Sequence, residues 1–191
     1  MQKFISKSGL QTRNFAKKVA MEILFAKNLK QAFVLGLVGD LGAGKTTFVQ
    51  GLGRALGVKG RMLSPTFLLM RRHELKNQNG IDSDDYRGEN GRGGDLIFGH
   101  PMTRGHRMSG DKRGLADKNQ KHRFLYHIDA YRLYNSQELL DLGWERIIAD
   151  EKNIVVVEWA DKIKDLMPKN TLWINFEHGE DETMRGLTLL E

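Results

Sequence analysis

Residues 32–47 read A-F-V-L-G-L-V-G-D-L-G-A-G-K-T-T, and the reading of this run decides the fold. Ala32–Gly39 is short, apolar and rich in branched residues, with a glycine at its end. That combination favours a buried strand. From Lys45 the apolar residues Phe48, Val49, Leu52 and Leu56 recur at helical spacing, and Gly57 supplies a helix stop. Between strand and helix, Gly39, Gly44, Lys45 and Thr46 satisfy the pattern G-x-x-x-x-G-K-[ST] without a mismatch. The pattern carries weight in this strand–loop–helix setting. Glycines let the backbone turn its N–H groups inward, and the positive end of the following helix adds to them, so the turn is a seat for phosphate. The cofactor-binding stretch is therefore Asp40, Leu41, Gly42, Ala43, Gly44, Lys45, Thr46 and Thr47. Lys45 is expected to reach the β- and γ-phosphates, and the Thr46 hydroxyl to ligate Mg²⁺.

Outward from this centre, the apolar pattern alternates between the two periods. Thr12–Leu29 reads as an amphipathic helix through Phe15, Val19, Ile23 and Ala26. Phe67–Met70 begins a strand, and Arg123–Asp129 is another. Ser136 is placed to cap a helix over Gln137–Ile148. Ile154–Trp159 is the most apolar strand, and Pro168 ends a short helix. Thr171–Phe176 and Met184–Leu190 alternate like antiparallel strands around a turn near Gly179. Strands alternating with helices argue for an α/β fold, a P-loop NTPase-like, mostly parallel sheet flanked by helices, with antiparallel C-terminal edge strands. The whole chain, 1–191, reads as one domain. It is interrupted at about 76–122, where Gly, Asn, Asp, Arg and Lys replace the apolar periodicity. Such composition buries too little apolar surface to offset its ordering entropy and is expected to be a disordered insertion.

Two acids end apolar strands, where parallel sheets bind their ligands: Asp129 after F-L-Y-H-I and Glu158 after I-V-V-V. Beside a phosphate seat, each is expected to serve a metal ion or orient attacking water. The loop S-P-T-F holds Ser64 and Thr66 where switch loops sense a γ-phosphate. His127 shares a strand face with Asp129 and reads as structural, and Trp159 as packing beside the site. His100, His106 and His122 lack metal-ligand spacing.

The chain has 191 residues, a formal net charge of +6 and no cysteine. This rules out disulfide frameworks and thiolate metal sites. It is compatible with a reducing cytoplasm, the expected location. No run approaches the roughly 20 apolar residues of a spanning helix, so no membrane association is expected. The basic balance favours a polyanionic partner.

The segments G-D-L-G-A-G-K-T-T-F, S-P-T-F, H-I-D-A-Y-R-L, E-L-L-D-L-G and V-V-V-E-W-A-D-K-I together resemble the TsaE family, bacterial P-loop ATPases of tRNA modification. The resemblance extends to the N-terminal helix and Thr12, and leaves out about 76–122. It implies an ATPase, weak alone, that acts with a TsaB–TsaD heterodimer in making threonylcarbamoyladenosine next to the anticodon, touching tRNA through that complex. It further implies ATP contacts from Thr12 and the glycine loop, Mg²⁺ held at Thr46 with Asp129 and Glu158, and a switch-like loop with Ser64 and Thr66. Trp159 matches the tryptophan of the family's V-E-W block. Leu68 and Leu69 depart from a position that is commonly polar in the family. Two other readings stay open. One is a small-molecule kinase with 76–122 as a lid. The other is a nucleotide-gated binding module that scarcely hydrolyses. No N-K-x-D stretch is present to read guanine.

Overall fold

The computed structural model describes residues 2–26, 29–60, 62–65, 68–75, 122–181 and 183–190. The expectations for Thr66, for Phe67 and for the segment 76–121 fall outside the described residues.

The elements are β1 (Gln2–Ser6), α1 (Gly9–Phe25), β2 (Phe33–Gly39), α2 (Lys45–Ala55), β3 (Met70–Glu74), β4 (Phe124–Asp129), α3 (Gln137–Asp141), α4 (Trp144–Ala149), β5 (Asn153–Glu158), β6 (Leu172–His178) and β7 (Arg185–Leu190). Two 3-10 segments, Ala130–Arg132 and Ala160–Leu166, follow β4 and β5. The seven strands form one sheet in the order β1-β7-β6-β2-β5-β4-β3. Its centre is parallel, with β2 between β5 and β6, and β4 beside β5. Its margins are antiparallel, with β7 against β6, β1 against β7, and β3 against β4.

Alternation along the strands divides the core in two. Leu35, Leu37, Leu125, Ile154, Val156, Ile174 and Leu187 face α1 and α2, where they meet Phe15, Val19, Ile23, Phe48 and Leu52. Val34, Ile128, Val155 and Val157 face the other way, towards Trp144, Ile147 and Ile163. Every residue of β5 is buried. It lies between two strands and two helical layers, as a continuous apolar run requires.

Several boundaries differ from expectation for local reasons. Helix α1 starts at Gly9 rather than Thr12, because the Ser8 hydroxyl accepts from the Gln11 N–H and caps it there. The expected helix over Gln137–Ile148 divides at Gly143, whose φ of +84° is left-handed. Ser136 does not cap it; its hydroxyl donates to Asp165. Asn135 and Glu138 cap instead, each side chain accepting from the other's backbone N–H at 3.3 Å. Strand β5 ends at Glu158, and Trp159 turns away with φ +59°. Strand β1 was not expected. It covers β7, so the C-terminal strand does not form the outer edge.

Candidate functional site

The carboxyl ends of β2, β4 and β5 bring the predicted residues together. In the parallel register Glu158 lies opposite both Leu37 and Asp129, so the two acids end adjacent strands beside the turn that leaves β2. That turn depends on glycine at its first position. Gly39 has φ +131°, and a Cβ there would sit 2.1 Å from the Phe176 carbonyl oxygen. Gly44, with φ +102°, is the N-cap of α2 and offers no side-chain cap. Among the groups at the N-terminus of α2, the Phe48 N–H reaches the Gly44 carbonyl, while the first N–H groups of any helix point outward without intrahelical partners.

Lys45 is only 4% exposed. Its ammonium folds back over the turn, donating to the carbonyls of Gly39 and of Asp40, the latter at 2.8 Å. It also lies 3.8 Å from the centre of the Trp159 ring. Burial pushes the Lys45 ammonium below its usual pKa, against the opposing pull of Glu158, Asp129, Asp161 and Asp40. A desolvated cation at the mouth of a glycine turn is suited to meeting an anion.

The Thr46 hydroxyl donates to Glu158 Oε2 at 2.8 Å. Glu158 Oε1 lies 2.8 Å from His127 Nε2, and both side chains are almost fully buried. Asp129 is held differently. Its Oδ2 accepts from the Ser64 hydroxyl at 2.9 Å and its Oδ1 from the Tyr131 N–H at 3.1 Å. The Asp129 N–H donates to the carbonyl of Leu69, whose φ is +59°. Leu69 and Trp159 are the two non-glycine residues with positive φ among the described residues, and they adjoin the two acids. Such conformations cost about 1–3 kcal/mol each and persist where the surroundings over-determine them.

Most predicted residues therefore converge: Asp40 to Thr46, Ser64, Asp129, Glu158 and Trp159. Thr12 is fully buried, and its hydroxyl is shared with Ser6 at 2.9 Å and with the Ser8 carbonyl at 3.3 Å. At this end of α1, Gly9 is the residue that lies against Thr47. Three further residues join the site. His127, read from the sequence as structural, bonds Glu158. His178 Nε2 lies 3.1 Å from the Leu41 carbonyl, and the Arg185 side chain packs beside Gly44. Both sit at the β6–β7 turn, and no motif pointed to them.

The donor set fits a polyphosphate and a hard cation. One ammonium, two hydroxyls and two carboxylates gather at these strand ends, all oxygen ligands apart from the lysine. Among the described residues no three His, Asp or Glu side chains cluster closely enough to hold a metal by themselves. A cation here would draw further oxygens from a ligand or from water, as Mg²⁺ does.

A mixed α/β sheet with parallel central strands, flanked by helices and opening on a glycine turn, defines the class of this protein. Within it, the family model described as threonylcarbamoyl adenosine biosynthesis protein TsaE matches residues 7–97 and 115–186, and the chain belongs to that family. The two matched stretches reach into 76–122 from both sides. Relatives named tRNA threonylcarbamoyladenosine biosynthesis protein TsaE include one from Haemophilus influenzae, 25% identical over 87% of this chain and 76% of its own length. Another, from Rickettsia typhi, is 27% identical over 89% of this chain and 82% of its own length. The crystal structure of Bacillus subtilis YdiB superposes with a TM-score of 0.58, covering 98% of this chain and 83% of that one at 24% identity, and shares the fold. Among the described residues no helix is long and apolar enough to cross a membrane.

Proposed function

We propose that this chain binds and hydrolyses Mg·ATP as the ATP-driven member of the machinery that makes threonylcarbamoyladenosine in tRNA, working with a TsaB–TsaD pair. Membership of the TsaE family supports the pathway. The observation that carries the nucleotide reading is the Thr46–Glu158 hydrogen bond beside a buried Lys45 at the end of β2. Hydroxyl, carboxylate and ammonium side by side are the groups that phosphate and a hydrated cation call for, which supports the reading.

In this reading the glycine-turn N–H groups and Lys45 bind the phosphates. Thr46 and Glu158 hold the cation, and Asp129, steadied by Ser64 and Tyr131, faces the position of the attacking water. Magnesium supplies charge neutralisation between phosphates when bound. The half-buried Trp159 and the exposed Tyr131, whose rings lie 5.1 Å apart, flank the same opening. They offer an aromatic rim to a docking partner.

The test is phosphate release from ATP by the purified chain, alone and with TsaB–TsaD, alongside Lys45→Ala. Weak turnover alone, stimulation by the pair, and loss in Lys45→Ala are expected. A phosphorylated small molecule in place of free phosphate would turn the reading to a kinase. Turnover unmoved by the pair would refute the partnership.

A further inference from the structure

We propose that His127 is the positioning residue for Glu158: its Nε2–H fixes one carboxylate oxygen so that the other is presented to Thr46 and the cation site. This rests on the Mg·ATP reading above.

The geometry is specific. Glu158 is gripped at both oxygens, by His127 Nε2 at 2.8 Å and by the Thr46 hydroxyl at 2.8 Å. The His127 and Glu158 side chains are 1% and 4% exposed, so the bond between them is shielded from water. An ionised carboxylate only accepts, so Nε2 carries the hydrogen.

Among the described residues the imidazole is anchored through this nitrogen alone, and His127 Nδ1 is buried without a hydrogen-bond partner among them. Leaving a buried polar atom unpaired costs free energy, and the fold bears that cost while keeping the bond to Glu158. The groups that face His127 from β3 are Arg71, opposite it in the ladder, and His73, whose pKa burial lowers, with His127 and Arg71 adding to the effect. Among the described residues the acceptor that His127 meets is Glu158.

Register supplies the reason for a brace. Asp129 stands opposite Glu158, whereas His127 stands opposite Val156, one step back on the same face. A glutamate has three rotatable bonds, and at the end of a strand nothing in the backbone chooses among them. The bond to His127 chooses, holding one oxygen back over the sheet while the other points forward to α2. Ligand-orienting partners of this kind typically contribute about 10–100-fold in metal affinity.

The experiment compares His127→Leu, His127→Gln and His127→Asn with the wild-type chain. A glutamine amide nitrogen reaches the place of Nε2, and an asparagine one reaches only that of Nδ1. ATP affinity is measured by titration calorimetry with Mg²⁺ and with EDTA, and folding by thermal unfolding without nucleotide. His127→Leu and His127→Asn are expected to lose about 10–100-fold of the Mg²⁺-dependent gain in affinity, with affinity in EDTA unchanged. His127→Gln is expected to retain the gain. In a Glu158→Gln background, His127→Leu should have no further effect. Should His127→Leu fail to fold, the glutamine and asparagine pair decides. Equal behaviour of those two, or a loss that is the same with and without Mg²⁺, overturns the inference. Absence of any Mg·ATP heat from the wild-type chain overturns the nucleotide reading itself and the inference with it, a result distinguishable from a loss confined to the variants.

Discussion

Replacing Gly39 by alanine tests how tightly the fold constrains the turn that carries the chemistry. A Cβ at this position would lie 2.1 Å from the Phe176 carbonyl oxygen, 3.0 Å from its carbon and 3.1 Å from its Cβ. Carbon and oxygen approach to about 3.3 Å even in close strand contacts, so a gap of roughly 1.2 Å must open. The obstacle is backbone of the neighbouring strand, paired with Gly39 in the parallel ladder, and cannot swing aside like a side chain. Overpacking of this kind costs about 1–3 kcal/mol. The φ of +131° adds about 1–3 kcal/mol for any residue with a Cβ. The expected loss is therefore about 2–6 kcal/mol, a large share of the 5–15 kcal/mol typical of a domain. Gly143→Ala is the matched control. Its φ is +84°, but nothing lies within 4 Å of the added methyl, so only the backbone term of about 1–2 kcal/mol applies. Urea unfolding of the three proteins, with unchanged slopes, measures both losses. Gly39→Ala should also weaken ATP binding, because shifting the turn displaces the backbone N–H groups proposed to hold phosphate. If Gly39→Ala costs no more than Gly143→Ala, the packing of the turn against β6 is not what holds it.

Three further outcomes are expected. Thr46→Val keeps the shape of the side chain but removes the donor to a buried carboxylate, so it should cost about 1–3 kcal/mol in urea unfolding and reduce Mg²⁺-dependent ATP affinity, while Thr46→Ser keeps both; equal losses in the two would refute the hydroxyl's role. The Lys45 ammonium lies 3.8 Å from the Trp159 ring centre, so Mg·ATP should change tryptophan emission as the ammonium turns to phosphate, and the change should be absent in Trp159→Phe although Trp144 and Trp173 remain; a signal unchanged in that variant would place its source elsewhere. Excising residues 77–120 and closing the gap with a short turn should leave unfolding cooperative and ATP turnover intact, because the Leu75 N–H already donates to the Arg123 carbonyl at 2.9 Å and the ends of β3 and β4 lie side by side; loss of cooperative unfolding would show that the excised residues support the core.

The central strands and α2 were legible because their apolar patterns are long and uninterrupted, and the glycine turn because its chemistry is local. Strand β1 was not legible. Q-K-F-I-S is short, mixed in polarity and half exposed, and it is a strand only because β7 offers a free edge. The break at Gly143 was hidden for the opposite reason, since apolar residues continue on both sides of it and periodicity cannot report one left-handed residue. In the site, Lys45, Thr46, Asp129 and Glu158 could be named from strand ends and spacing. The bonds among them could not. Thr46 and Glu158 are separated by 112 residues and meet because Leu37 and Glu158 are register partners in a parallel pair, a relation no local pattern encodes. His127 shows the same limit. Alternation put it on the face of Asp129, but its bond goes to the neighbouring strand.

Those long-range bonds also determine what binding must undo. Without a ligand, each polar group of the cleft is answered by another: Lys45 by two carbonyls, Thr46 by Glu158, Glu158 by His127, and Asp129 by Ser64 and the Tyr131 N–H. These hydrogen bonds are what let the fold bury a lysine and two carboxylates. Phosphate would have to draw Lys45 from the carbonyls of its own turn, and a cation would have to share Thr46 with Glu158. The net gain would then be a difference between two satisfied states. Anything that loosens the resting bonds increases that difference. Ser64, half-buried, and the buried Pro65 lie between α2 and β3, and the Ser64 hydroxyl donates to Asp129 from outside the sheet and α2. A partner that shifted Ser64 would loosen one of the bonds that hold Asp129 at rest. Ser64→Ala should therefore raise basal ATP turnover relative to turnover with TsaB–TsaD, narrowing the ratio between them. An unchanged ratio would show that the resting bond to Asp129 is not what the partner relieves.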